Sequence, residues 1–216
     1  MRVMPCILCE REHPPTGLEG PVVLDLSEFA HPDEVRRLLG AVQPLPAQVI
    51  PLLPPETNSP AWDIVTRGPL DVIALDRVGS SDQARTLERI LSDKQPNARV
   101  AVRLRDGAAL HHALDIASTF GGRLSAIWYA ASDLLVDYRD DPGAMYFYDA
   151  SFARLAASSW TRSRGLTIAR ALSVEYWGQL DLTFADPPAH AEITRARRLA
   201  AAEGFDAIIQ ATRALP

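Results

Sequence analysis

Apolar residues fall along this chain in two alternating rhythms. Short runs rich in β-branched residues recur, and between them lie longer stretches with apolar residues every three or four positions. The short runs predict strands at 2–8 (RVMPCIL), 21–26 (PVVLDL), 47–53 (AQVIPLL), 71–78 (DVIALDRV), 99–104 (RVAVRL), 123–130 (RLSAIWYA), 166–172 (LTIARAL) and 205–212 (FDAIIQAT). The longer stretches predict helices. In HPDEVRRLLG, Pro32 stands early, Val35, Leu38 and Leu39 make a stripe, and Gly40 is the expected stop. PAWDIVTRG predicts a short helix. Ser80 and Gln83 have capping-box spacing ahead of a stripe of Ala84, Leu87 and Leu91. A single helix is expected over DGAALHHALDIASTFGG, a long one from Met145 to a stop at Gly165, and one from Asp186 as cap to Gly204.

Eight strands alternating with helices argue for parallel strands joined by helical crossovers. The strands are apolar on both sides, as expected when both faces are covered. Eight such units favour a closed (β/α)8 TIM barrel over an open sheet, with residues 1–216 as one barrel domain. Leu24, Ile73, Leu75, Val100, Val102, Ile127, Ile168, Ile208 and Ile209 are expected core positions. Neither GxGxxG nor a P-loop follows any strand, which removes the strongest nucleotide signals.

Charge and cysteine usage narrow the partners. The net charge of −5 supplies no bulk attraction for nucleic acid or an acidic membrane. No apolar run is long enough to span a bilayer, and the first residues are too short in apolar content for a signal peptide. The two cysteines, Cys6 and Cys9 in CILC, lack a second pair to complete a structural zinc site. On a strand, residues three apart face opposite sides, so the pair reads as neither metal nor redox site. The low cysteine count favours a reducing, cytoplasmic setting.

In barrels of this kind chemistry sits at the C-terminal ends of the strands. The predicted ends carry Asp25, Ser27 and Glu28, then Asp76 and Arg77, then Arg103, Arg105 and Asp106, and later Asp133, Arg170 and Gln210. Arginines at several ends suit a carboxylate or phosphate, because the planar guanidinium binds such groups bidentately. Arg77, Arg105 and Arg170 are therefore the expected binders of a small anionic metabolite. The competing reading is a ring of internal salt bridges among these same residues. Asp133, which ends the run IWYAAS, reads either as a functional carboxylate or as the cap of a short helix.

AIWYAASDLLVDY resembles a strand and loop of the HpcH/HpaI aldolase and citrate lyase beta-subunit family, where small residues precede Glu-Asp-Leu and the Asp binds Mg²⁺. PVVLDLSEFAHPDEVRRLL, DVIALDRVGSSDQARTLERIL and ADPPAHAEITRARRLAAAEGFDAIIQ resemble the second, fourth and last units of that family, in the same order. The resemblance implies a barrel of the phosphoenolpyruvate/pyruvate-domain kind and a carbon–carbon lyase or aldolase acting on a 2-oxo acid or acyl-CoA-type substrate. It implies Asp133 as a Mg²⁺ ligand and assembly into a homo-oligomer. For an enzyme of this type, Arg103, together with Arg77, Arg105 and Arg170, is the expected cation for carboxylates and developing charge, and Asp25, Glu28 or Asp133 is the expected base.

The departures are specific. Ser132 replaces the Glu before the metal-binding Asp. Gln48 falls where the family's catalytic Arg is expected, and Arg103 falls where its second metal-binding carboxylate is expected. Two unit charges about 4 Å apart interact by about 4 kcal/mol at an effective dielectric near 20, and a divalent ion doubles that. A cation at position 103 thus opposes Mg²⁺, and Arg103 is expected to pair with Asp133 instead. These departures imply an alternative: a non-catalytic homologue that binds an anionic metabolite.

Overall fold

The computed structural model describes residues 2–7, 20–27, 31–42, 48–130, 156–184, 198, 201, 202 and 204–214. Its strands are β1 (Arg2–Ile7), β2 (Val22–Asp25), β3 (Val49–Leu53), β4 (Val72–Leu75), β5 (Arg99–Leu104), β6 (Leu124–Tyr129), β7 (Glu175–Phe184) and β8 (Ala207–Ala214). Every neighbouring pair is parallel, and β1 pairs with β8, so the sheet closes into an eight-stranded barrel. The helices are α1 (Pro32–Val42), α2 (Pro60–Val65), α3 (Ser81–Lys94), α4 (Gly107–His111), α5 (Ala113–Thr119) and α6 (Ala156–Ala171). This is the (β/α)8 architecture that the alternation predicts.

The period of two along each strand sorts its residues into two buried layers. Val22, Leu24, Ile73, Leu75, Val100, Val102, Ile127, Tyr176 and Ile208 face the helices and pack with their stripes. Val23, Leu52, Ala74, Ala101, Ala126, Trp128, Trp177, Ala207 and Ile209 face the barrel interior. Four interior positions are alanine, and the two tryptophans on adjacent strands fill the space those alanines leave. All nine expected core residues are buried, Ile168 among them.

The start of α3 forms as its sequence predicts. Ser80 Oγ accepts from the Gln83 N–H at 3.3 Å, and Gln83 Oε1 accepts from the Gly79 N–H at 2.9 Å. Two other expectations are corrected. Gly40 does not stop α1, which runs on to Val42. The stretch 107–122 is not a single helix: it breaks at His112, and Arg164 from α6 donates to the Leu110 and His111 carbonyls at 3.0 and 2.9 Å. Those bonds bring side-chain donors to carbonyls at the end of α4, where the helix's own N–H groups run out.

The seventh strand is the largest correction. LTIARAL is the last part of α6, and the strand is EYWGQLDLTF, beginning at Glu175. Gly165 is helical, and its missing side chain serves packing. A Cβ there would lie 2.8 Å from Tyr176 Oη, so the glycine lets α6 approach the strand that follows it. The helix instead ends at Ser173, whose φ is 55°. Ser173 N–H bonds to Arg170 O at 3.2 Å and Val174 N–H to Ala169 O at 3.0 Å. That is the Schellman arrangement, with serine in the left-handed position usually taken by glycine.

Candidate functional site

At the C-terminal mouth of the barrel, β4 hands over to Asp76, which lies two residues beyond the inward-facing Ala74 and so faces inward as well. Its side chain is 0% exposed. Three guanidiniums meet it. Arg105 Nη1 lies 3.0 Å from Oδ2, Arg77 Nε 3.3 Å from Oδ2, and Arg103 Nη1 3.4 Å from Oδ1. A carboxylate with no solvent needs its charge compensated, and here two adjacent strands supply the cations.

Arg103 is the most enclosed of the three, with its side chain 7% exposed. Its Nη2 donates to Gln179 Oε1 at 2.8 Å, and its guanidinium carbon stands 4.7 Å from the centre of the Trp128 ring. The registers explain the stack. Arg103 pairs with Trp128 across β5 and β6, and Trp128 pairs with Trp177 across β6 and β7, so the three side chains share one level of the interior. Gln179, two residues beyond Trp177, reaches the same guanidinium from above. An arginine over an aromatic face gains cation–π attraction, strengthened by exclusion of water.

Beside this cluster, Asp25 ends β2. Its Oδ1 accepts from Ser27 Oγ at 2.6 Å and Ser27 N–H at 3.0 Å. Arg77 Nη2 donates to Ser27 O at 3.3 Å, linking the β2 end to the Asp76 cluster. The structure thus brings Asp25, Arg77, Arg103 and Arg105 to one mouth. Glu28 and Asp133 lie outside the described residues, as does the expected Arg103–Asp133 pair.

Arg170 is elsewhere. It belongs to the last turn of α6, and its guanidinium forks onto Asp206, with Nη1–Oδ2 at 2.8 Å and Nη2–Oδ1 at 3.1 Å. Asp206 immediately precedes β8, so the pair sits at the N-terminal end of the barrel, opposite the mouth. The hydrogen bond to Asp206 raises the Arg170 pKa above its usual value. Gln48 is also at that end: it precedes β3, and its amide donates to Asp71 at 3.0 Å. The C-terminal end of β3 carries buried Leu52 and Leu53, so the described part of that strand brings no polar side chain to the mouth. A cavity of about 260 Å³ opens near the N-terminal end, between Gln48, Arg99, Glu175 and Trp177, away from the arginine cluster.

Asp76 was legible as a polar residue ending an apolar run, but its role as the shared counter-ion was not. Gln179 escapes the sequence reading because LTIARAL reads as strand seven, ahead of the true strand. The alternation in EYWGQLDL, with Tyr176 outward and Trp177 inward, is the signal that places Gln179 in the interior.

Among the described residues, the donor set at the mouth does not fit Mg²⁺. Asp76 is engaged by three cations, one oxygen of Asp25 already takes two hydrogen bonds, and position 103 presents a guanidinium. Among the described residues, no group of three or more His, Cys, Asp or Glu could hold a metal ion. Among them also, no helix is long and apolar enough to cross a membrane.

Fold and site together define a (β/α)8 barrel with an arginine-rich C-terminal mouth. Solved structures with this fold include RipC from Yersinia pestis, at 12% identity, with 97% of this chain and 88% of that one covered and a TM-score of 0.70. A citrate lyase from Burkholderia xenovorans aligns at 9% identity and a TM-score of 0.71, over 88% of this chain and 64% of that one. An HpcH/HpaI aldolase from Desulfitobacterium hafniense aligns at 12% identity and a TM-score of 0.62, over 98% of this chain and 86% of that one. The barrel is therefore the one the sequence motifs resemble. No protein-family model matches the chain, and no curated protein sequence matches it.

Proposed function

We propose that this protein binds a small anionic metabolite, a carboxylate of the 2-oxo acid kind, at the C-terminal mouth of its barrel. The observation that carries this reading is the convergence of Arg77, Arg103 and Arg105 on buried Asp76. One carboxylate holds three guanidiniums at the end of the barrel where this fold places its ligands. Guanidiniums fixed in advance lose little freedom on binding a carboxylate, which favours affinity. Asp76 is committed to the arginines, and Arg103 is committed to Asp76, Gln179 and Trp128. Both are therefore scaffold, with ligand contact falling to the outer part of the cluster.

A second reading is a carbon–carbon lyase, favoured by the citrate lyase and the HpcH/HpaI aldolase whose fold the chain shares. In that reading the arginines stabilise the negative charge that develops on an enolate. Asp25 stands at the mouth as a candidate base, with Ser27 holding it in place.

Calorimetry with malonate, oxaloacetate and phosphate tests the binding. Heat from a small carboxylate supports it, and no heat from any of the three overturns it. Release of pyruvate or of an acyl thioester fragment from a 2-oxo acid or acyl-CoA substrate would move the protein to the second reading.

A further inference from the structure

Arg77 carries a backbone conformation that an arginine rarely adopts: its φ is 49°. The reason lies in the geometry of the strand end. Adjacent residues of a strand point to opposite faces, so an extended Arg77 would turn away from the side on which Asp76 lies. The left-handed turn brings the side chain round to the Asp76 carboxylate, where its Nε lies 3.3 Å from Oδ2. Strain of this kind persists where the surrounding structure imposes it, and it concentrates at ligand sites.

The three arginines of the cluster are not equivalent. Arg103 is 7% exposed and has one terminal nitrogen on Asp76 and the other on Gln179. Arg105 is 23% exposed. Arg77 is 43% exposed, uses Nε on Asp76 and Nη2 on the Ser27 carbonyl, and its Nη1 has no hydrogen-bond partner among the described residues. It is the most exposed member of the cluster, and it combines a held guanidinium with a terminal nitrogen that has no partner among the described residues.

We infer that Arg77 is the contact and selectivity residue of the mouth: it receives the ligand's carboxylate, and its strained backbone is what holds it in position to do so. This rests on the anion-binding reading above and assigns that binding to one residue. A carboxylate bound there gains a charge-assisted hydrogen bond from Nη1 without disturbing the buried Asp76–Arg103 pair.

Two variants test the assignment, Arg77→Gly and Arg77→Lys, with malonate as the probe in calorimetry and urea unfolding as the measure of stability. Arg77→Gly removes the guanidinium and also the backbone strain. The expected result is malonate affinity at least tenfold weaker, with an unfolding midpoint equal to or above that of the wild type. Arg77→Lys is expected to keep the charge but bind malonate less tightly than the wild type, since an ammonium lacks the fork. Wild-type affinity in Arg77→Gly would overturn the assignment while leaving anion binding at the mouth intact. A fall in the Arg77→Gly unfolding midpoint as large as that of Asp76→Asn would also overturn it, because Arg77 would then serve chiefly to hold the buried carboxylate rather than a ligand. A wild type that binds no malonate would remove the anion-binding reading itself.

Discussion

Asp76 and Arg103 face each other inside the barrel with Oδ1 and Nη1 3.4 Å apart, the carboxylate wholly buried and the guanidinium nearly so. Neither group has solvent to fall back on. Breaking a buried ion pair from one side leaves an uncompensated charge, which costs about 3–5 kcal/mol. Asp76→Asn is therefore expected to lower stability by about that amount, since it strips the shared counter-ion from three arginines. Urea unfolding of the variant measures this, and a change within about 0.5 kcal/mol, as for an ordinary surface substitution, would contradict the shared counter-ion role.

Trp128 and Gln179 are expected to support Arg103 to different degrees. Trp128→Leu removes the aromatic face and leaves a smaller side chain in a full interior layer, so a loss of about 2–4 kcal/mol is expected. Gln179→Leu removes one charge-assisted acceptor, with an expected loss of about 1.5–3 kcal/mol. If the two act on Arg103 jointly, the double variant deviates from the sum of the single losses, and a double-mutant cycle read by unfolding midpoints reports that deviation.

Gly165→Ala is expected to destabilise, because the added methyl meets Tyr176 Oη at 2.8 Å within a packed helix–strand contact. Overpacking of this kind typically costs about 1–3 kcal/mol. Combining it with Tyr176→Leu removes the clash, so the effect of Gly165→Ala should shrink in that background. An equal effect in both backgrounds would assign the cost to something other than the Tyr176 contact.

Ser173→Gly is expected to stabilise. Glycine adopts the left-handed conformation without the steric penalty of a Cβ, which is worth about 1 kcal/mol at such a position. Thermal unfolding measures it.

The barrel was legible in the sequence because most strands are short apolar runs bounded by turn signals, and because the α3 cap and stripe agree at one place. Strand seven was not. LTIARAL has the composition of a buried strand, and its apolar positions also fit a helix face, so periodicity over so few residues could not separate the two. Gly165 then read as a stop, since a glycine at a helix end and a glycine under a tyrosine ring look the same in sequence. A strand at LTIARAL carries Arg170 from the N-terminal end of the barrel to the mouth and hides Gln179. The arginines themselves were legible as strand-end cations, but the residue that gathers them was not. Asp76 and Arg103 are separated by 27 positions and meet only through the pairing of β4 with β5.

Arg170→Ala is expected to leave carboxylate binding at the mouth unchanged, since its guanidinium is engaged with Asp206 at the other end. The exposed ion pair contributes within about 1 kcal/mol, so only a slight loss of stability is expected. Calorimetry beside the wild type checks both points. Weakened binding would return Arg170 to the site.

On the outer surface, the Lys94 ammonium lies 2.9 Å from Asp63 Oδ1 and holds that carboxyl below its usual pKa, chiefly through the hydrogen bond. A carboxyl with a lowered folded pKa contributes stability that is present above its unfolded value and is lost as pH falls through the folded one. The α2–α3 contact is therefore expected to weaken only below the ordinary aspartate range. NMR titration of Asp63 should show its midpoint returning upward in Lys94→Ala, and an unmoved midpoint would contradict the Lys94 assignment.

The central claim is that guanidiniums gathered by Asp76 make the mouth an anion site without help from a divalent ion. Thermal unfolding of the full chain with oxaloacetate, once in EDTA and once with Mg²⁺, tests it most directly. The account predicts that oxaloacetate raises the melting temperature equally in both and that Mg²⁺ alone does nothing. Stabilisation that appears only when Mg²⁺ is present, or that Mg²⁺ produces by itself, would contradict it.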